Sequence, residues 1–476
     1  MTANSPDLLP LTLSEADMRL IMAEIGEMIV DHFVNLPQLP VTRPSSLKDL
    51  HLGLQEPLPA SPTSMHDVLV QVRRFVLSEM THNDHPRNFA FVPGPGNFVG
   101  AMADALSSAL NIFCGGWIGP SGAAQIEITA IEWLRQLFAL PETAGGLFVS
   151  GGSMANLTCL AVARHVMLAN NPGNATAYFS DQTHSSVAKG LKTLGFQQYQ
   201  MRKLPSDERY CLALDGLKQK VFADRQQGLV PFCVIANAGT TNAGAIDPLA
   251  DIAAFCAAEG LWLHVDGAYG GSAALSASGK AMLTGLERAD SLAIDPHKWL
   301  FQPYEIGCAL IRNREHLKAT FKVSAEYLKI IEESAEQPNF SDYGVQLTRG
   351  FRALKLWMSF KVFGVDAFRA AIESGIRNAI LAEETLRASA DWEIVTPASL
   401  GIVTFRFVVP GLPEDRISAL NSAIAAEMIN SGFAFLSPTV MRGITVLRMC
   451  TINPRTTQSD IVTTIAKLAA IGHALA

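Results

Sequence analysis

The sequence predicts an α/β unit built on a mostly parallel sheet, preceded by a helical arm and followed by a small α+β unit. Three observations carry this. Six short apolar runs, at 146–150, 175–180, 232–238, 261–265, 291–294 and 308–311, recur between helical stretches. They are rich in Val, Phe, Ile and Leu and barely alternate, as in strands covered on both faces, and strands alternating with helices imply a parallel sheet. The stretches before and after this pattern have textures of their own.

Residues 1–85 read as the arm. Over 15–33, Met18, Ile21, Met22, Ile25, Met28 and Ile29 make one helical stripe. Pro37, Pro40, Pro44, Pro57, Pro59 and Pro62 then break the chain into an extended strap, and a second helix is expected over 65–80. Lacking a core of its own, the arm must lie on something else, such as another subunit. The large α/β unit follows over 86–371. In the small unit, 372–476, a helix rich in Ala and Glu (376–388) precedes two strands (401–408 and 445–449) that flank a helix (414–430).

Composition narrows the function. The chain has 476 residues, is 49% hydrophobic, and carries 37 Lys+Arg against 44 Asp+Glu with no basic run, which argues against a nucleic-acid partner. Seven cysteines form no C-x-x-C pair, and no His cluster has metal spacing, so reduced thiols and no metal are expected. No basic n-region precedes an apolar stretch at the N-terminus, and no window of about 20 apolar residues occurs. A soluble cytoplasmic protein without a membrane partner is expected.

Four strand-end segments carry the chemistry, as expected where ligands sit beyond the carboxyl ends of strands. In Asp295-Pro296-His297-Lys298-Trp299, a lysine follows a buried run, where a neutral amine can form a Schiff base. In His264-Val265-Asp266-Gly267-Ala268-Tyr269, an aspartate ends a strand; it can cap a helix or sit beside the ring nitrogen of pyridoxal phosphate. The Ser150-Gly151-Gly152-Ser153 turn leads into a helix and can hold a phosphate on backbone amides and the Ser153 hydroxyl. His184, in Asp181-Gln182-Thr183-His184-Ser185-Ser186, can satisfy a core or stack on a cofactor ring.

Together these blocks resemble the group II pyridoxal-phosphate decarboxylases, most closely the aromatic-L-amino-acid and histidine branch, over nearly the whole chain. The resemblance implies fold type I, the aspartate aminotransferase-like fold with a seven-stranded sheet, bound pyridoxal 5'-phosphate, and a homodimer with shared active sites. It implies Lys298 as the Schiff-base lysine, Asp266 as partner of the pyridine nitrogen and His184 as the stacking histidine. Gly152 and Ser153 would hold phosphate with Asp295 and His297 beside it, and Thr241 and Ala268 would lie along the cofactor. Tyr327 falls on the family's mobile loop, where a tyrosine protonates the carbanionic carbon and a phenylalanine marks aldehyde synthases. Phe91, Gly94, Phe113 and Thr348 fall in segments that shape the substrate pocket. Asn83 or Asp84, Gly94, the glycines after Phe113, Asp295 and Thr348 depart from the family's usual residues, which leaves the amino acid substrate open. The competing expectations are an aminotransferase or aldehyde synthase on the same fold, or a non-catalytic protein that binds the cofactor.

Overall fold

The computed structural model describes residues 11–43, 46–323 and 337–476. Its main sheet has seven strands: β1 (Gly145–Val149), β2 (Ala175–Ser180), β3 (Met201–Leu204), β4 (Val230–Asn237), β5 (Trp262–Asp266), β6 (Ser291–Ile294) and β7 (Gly307–Ile311). Their order is β1-β7-β6-β5-β4-β2-β3, and all pairings are parallel except those of β7 with β1 and β6. Every residue of β1, β2, β5, β6 and β7 is buried, which is why each reads as an unbroken apolar run. The sequence reading missed β3. Its Met-Arg-Lys-Leu segment lies at the sheet edge with no residue fully buried, so it lacks that signal.

The arm begins with α1 (Glu15–Asn35), where the Ser14 hydroxyl accepts the Asp17 N–H as an N-cap. No residue of α1 is buried, and Met18, Met22 and Ile25 of its stripe are exposed. The strap differs from expectation in one place: α2 (Leu47–Leu54) forms between Pro44 and Pro57, started by Ser46. Proline stops a helix only near its own ring, and the twelve intervening residues leave room for two turns. Leu36 and Val41 are fully buried, and the Val41 N–H and Thr42 Oγ1 donate to the carbonyls of Gly432 and Ile429. This part of the strap therefore lies along the C-terminal region of its own chain. The next helix, α3 (Met65–Phe75), ends five residues before the expected limit, and a 3-10 turn, Leu77–Glu79, completes the segment.

A second sheet, antiparallel throughout, has the order β10-β11-β9-β8 and comprises β8 (Trp392–Ser399), β9 (Ile402–Phe407), β10 (Ser437–Met441) and β11 (Ile444–Cys450). The helices Glu414–Asn430 and Gln458–Leu475 pack against it around Phe405, Phe407 and Met428. The edge strands β8 and β10 each contain a proline, at Pro397 and Pro438, and were not anticipated. The expected helix over 376–388 is the second half of a longer one, Val365–Arg387. Its Phe368, Ile372 and Ile376 join the core of the large sheet, while Ala382 and Leu386 join that of the small one.

Between the arm and β1 lie α4 (Phe98–Ala109) and α5 (Ser121–Leu137). From α5, Glu127 meets Arg349 in an ion pair of 2.5 Å, with both side chains 1% exposed. Glu127 also accepts the Phe148 N–H, and Arg349 donates to the Phe148 and Cys114 carbonyls. The pair thus holds both backbone groups of Phe148, two residues before the turn that leaves β1. All seven cysteines are buried and unpaired. Among the described residues no helix is long and apolar enough to cross a membrane.

Candidate active site

The parallel strands deliver their carboxyl ends to one edge of the sheet, and there a cavity of about 360 Å³ opens. Gly152, Ser153, His184, Thr241, Asp266, Ala268, Asp295, His297 and Lys298 line it together, although they come from five separate turns.

After β1 the chain turns at Ser150-Gly151 into α6 (Gly152–Leu168). Gly151 is the N-cap and has no side chain to satisfy the first amides, while the Met154 and Ala155 N–H groups close onto its carbonyl. The amides of Gly152 and Ser153 therefore stand at the tip of a 17-residue helix, where an anion is favoured by both hydrogen bonding and the helix dipole. Glycine is needed here for space. A Cβ on Gly152 would lie 2.8 Å from Asp295 Oδ2, and one on Gly307, at the start of β7, would lie 2.5 Å from Gly151 backbone.

Beyond β2, His184 caps α7 (Ser185–Thr193): its Nδ1 accepts the Ser186 N–H at 3.2 Å and lies 2.8 Å from the Ser186 hydroxyl. The ring is exposed rather than sunk in the core, so the core-histidine reading does not hold. Asp266 ends β5; its Oδ1 accepts the Ala268 N–H at 3.2 Å and its Oδ2 accepts Asn156 Nδ2 at 3.0 Å. Tyr269, just beyond, stacks on Trp299 at 5.4 Å, and its hydroxyl accepts the Gly401 N–H, tying this turn to the second sheet.

Lys298 sits in the single helical turn Pro296–Trp299 after β6, with Nζ 3.0 Å from Asp295 Oδ2. Burial disfavours the ammonium, but the Asp295 carboxylate, seconded by Asp266, outweighs it and holds the lysine above its ordinary pKa. The expectation that burial alone would supply a neutral amine is thus corrected by the neighbouring carboxylate. His297 is pushed down by burial, only partly offset by Asp295, and so favours its neutral form; its Nδ1 accepts the Ile306 N–H.

These residues fit pyridoxal phosphate. Asp295 Oδ1 is buried without a hydrogen-bond partner among the described residues, an amine and a buried carboxylate share the cavity, and a helix N-terminus supplies amides for a phosphate. The expected substrate residues stand elsewhere in the single chain. Phe91 is 63% exposed, sets its ring edge against Phe435 and donates its N–H to Ser437. Gly94 packs on the His297 carbonyl, which a Cβ would approach to 1.9 Å, so no side chain fits there. Phe113 is exposed beside Gly115, close to the Leu347 carbonyl, and Thr348 is exposed next to it. Tyr327 lies outside the described residues.

Sequence reasoning missed Asn156, Ser186 and Glu305, which also line the cavity. Asn156 lies four residues after Gly152 on α6 and so shares its helix face, a spacing that could have flagged it. It missed as well a meeting of His32, His82 and Asp84, whose ligand atoms lie within 4.8 Å of one another. His32 Nε2 is 2.8 Å from Asp84 Oδ2, and the Arg455 guanidinium further lowers the Asp84 pKa, so this carboxylate already has cationic company.

Comparison with known proteins agrees with the geometry. Residues 44–408 match the pyridoxal-dependent decarboxylase conserved domain. The chain is 48% identical over 465 residues to an aromatic-L-amino-acid decarboxylase of Bacillus atrophaeus, covering 97% of each chain. It is 30% identical to a phenylacetaldehyde synthase of Arabidopsis thaliana, covering 91% of each. The crystal structure of Oryza sativa TDC with PLP and tryptamine superposes with a TM-score of 0.92 at 27% identity, covering 98% of this chain and 99% of that one. The fold is fold type I, and the chain belongs to the pyridoxal-dependent decarboxylase family, as a carboxy-lyase that uses pyridoxal phosphate to release carbon dioxide from an amino acid.

Proposed function

We propose that the substrate is an aromatic L-amino acid, that the product is its amine, and that Lys298, Asp266, His184 and Tyr327 carry the reaction. The observation that supports this reading best is the convergence of Lys298, Asp266 and the Gly152–Ser153 turn on one cavity. The 48% identity to an aromatic-L-amino-acid decarboxylase supports the substrate class.

Pyridoxal phosphate, when bound, supplies a conjugated ring that takes up the electron pair left by departing carbon dioxide. Lys298 would hold it covalently through Nζ. To do so Nζ must first lose the proton that Asp295 Oδ2, 3.0 Å away, favours on it. Asp266 would keep a proton on the ring nitrogen. Gly152 and Ser153 would hold the phosphate, with Asp295 and His297 beside it and Thr241 and Ala268 along the ring, while His184 would cover its face. Tyr327 would deliver a proton to the substrate α-carbon. Likeness to the phenylacetaldehyde synthase favours a second reading, release of aldehyde, against which the phenol of Tyr327 weighs.

A homodimer with shared sites is part of the proposal. The exposed stripe of α1 and the exposed Phe91 and Phe113 support it, since a second subunit would cover them. So is division into an arm over 1–85, a cofactor unit over 86–371 and a small unit over 372–476. Seven unpaired cysteines support a cytoplasmic location.

The test is to give the holoenzyme L-phenylalanine, L-tyrosine, L-tryptophan, L-histidine and L-glutamate separately and to quantify carbon dioxide and product by mass spectrometry. Amine from at least one aromatic substrate is expected; turnover of glutamate or histidine alone would overturn the substrate class. Borohydride reduction should fix the cofactor to Lys298, and a label on any other lysine would remove Lys298 from its role.

A further inference from the structure

We propose that Asn156 is a positioning residue through which a buried hydrogen-bond chain, Trp262–Ser291–His264–Asn156, aims its donors at the Asp266 carboxylate and at His184. Trp262, His264 and Asp266 alternate along β5 and so share one face, and His264 stands opposite Ser291 in the β5–β6 register. Trp262 Nε1 lies 2.8 Å from Ser291 Oγ, and Ser291 Oγ lies 2.9 Å from His264 Nδ1. His264 Nε2 lies 2.9 Å from Asn156 Oδ1, and Asn156 Nδ2 lies 3.0 Å from Asp266 Oδ2 and 3.0 Å from Ser186 Oγ.

The two ends set the direction. An indole N–H only donates, and an ionised carboxylate only accepts. Ser291 Oγ receives the Trp262 N–H and interacts with the Cys159 thiol, which burial keeps protonated. In the proposed chain the serine's own proton goes to His264 Nδ1, 2.9 Å away. Burial also holds His264 well below its ordinary pKa, in the neutral form with a single ring proton. That proton must sit on Nε2, facing Asn156 Oδ1. The reverse amide orientation would set an oxygen against Asp266 and an N–H against an N–H, so His264 locks Asn156 with both amide protons outward. One goes to Asp266. The other goes to Ser186, whose hydroxyl can then donate to His184 Nδ1. One side chain thereby serves both groups assigned to the cofactor ring.

This inference rests on the assignment of Asp266 and His184 to the cofactor ring. The experiment measures the dissociation constant of pyridoxal 5'-phosphate and the visible spectrum of the holoenzyme for wild type, Asp266→Ala, Asn156→Ala, Asn156→Asp and Ser291→Ala. A hydrogen bond to a charged group is typically worth enough to change an equilibrium by about ten- to a hundredfold. Asn156→Ala should raise the dissociation constant by that factor and move the visible band in the same direction as Asp266→Ala. Packing alone predicts that Asn156→Asp, of equal size, behaves as wild type; the chain predicts that it binds worst, because a second carboxylate then faces Asp266. Ser291→Ala, remote from the cavity, should weaken binding severalfold by releasing the His264 tautomer, and it decides the matter should either Asn156 variant fail to fold. Wild-type affinity and spectrum in Asn156→Ala or Ser291→Ala, with Asp266→Ala impaired, would overturn the chain alone. Wild-type behaviour of Asp266→Ala would overturn the assignment beneath it.

Discussion

Replacing Arg349 by Met should destabilise the protein and loosen the phosphate turn together. The guanidinium is buried and makes four described hydrogen bonds, two to Glu127 and one each to the Cys114 and Phe148 carbonyls. Methionine matches its length but leaves the Glu127 carboxylate, 1% exposed, with the Phe148 N–H as its one remaining hydrogen bond among the described residues. Removing one partner of a buried pair costs about 3–5 kcal/mol, against a typical total stability of about 5–15 kcal/mol. With an unfolding entropy of about 2.1 cal/mol/K per residue, 4 kcal/mol corresponds to a Tm lower by about 4 °C if the chain unfolds as one unit. Differential scanning calorimetry of Arg349→Met, Glu127→Leu and the double variant tests this. The double variant should lose less than the sum of the single losses, because no lone carboxylate remains to be desolvated. Cofactor affinity should fall alongside, since Phe148 is two residues from Ser150. Additive losses, or an Arg349→Met protein within about 1 kcal/mol of wild type, would refute the reasoning.

Three further outcomes are expected. His85 is fully buried, with Nε2 donating to the Leu39 carbonyl and Nδ1 accepting the Arg87 N–H, and burial pushes its pKa down to about 4. The unfolded chain, with histidine near 6.5, then binds more protons between those values. His85 thus contributes stability that is complete above pH 6.5 and is lost toward pH 4 at up to about 1.4 kcal/mol per unit. Urea unfolding of wild type and His85→Gln across that window measures the slope, and equal slopes would exclude His85 as its source. Tyr327→Phe should release carbon dioxide while amine yield drops by about 100- to 10,000-fold and aldehyde appears; wild-type amine yield would reduce Tyr327 to packing. His32→Ala should leave Asp84 without its 2.8 Å partner and make α1 more sensitive to limited proteolysis, whereas an unchanged cleavage pattern would show that this contact does not anchor the arm.

The sheet was legible where burial is two-sided. The runs at 175–180 and 291–294 coincide with β2 and β6, because a strand covered on both faces has no polar positions to blur its limits. β3, β8 and β10 are edge strands whose residues answer partly to solvent, so no period marks them. The same asymmetry governs the site. Gly152, His184, Asp266 and Lys298 were visible because each stands at the end of a strand or in its exit turn, where a polar residue interrupts an apolar pattern. Asn156 and Ser186 occupy ordinary helical positions, and the packing of α6 against α7 and β5 gives them partners. The error over Lys298 has the same origin: burial could be inferred along the chain, but the carboxylate three residues earlier acts through a helical turn that brings Asp295 within 3.0 Å.

That turn makes an electrostatic demand on the cavity. Asp266, Asp295 and Glu305 line it with Lys298, so among the described lining residues three carboxylates face a single lysine. A phosphate ester entering such a space would meet repulsion unless something offsets it, and no arginine is among the lining residues. The amides at the tip of α6 offer partial positive charge without a mobile cation, and Glu305 is drawn outward by Arg352 at 3.0 Å. Asp295 is the group left in conflict, buried with one oxygen unpartnered and the other on Nζ. Asp295→Asn, neutral from the start, should therefore bind inorganic phosphate more tightly than wild type when both proteins lack cofactor, as read by isothermal titration calorimetry. Weaker phosphate binding in that variant would mean that Asp295 holds the turn together rather than opposing the anion.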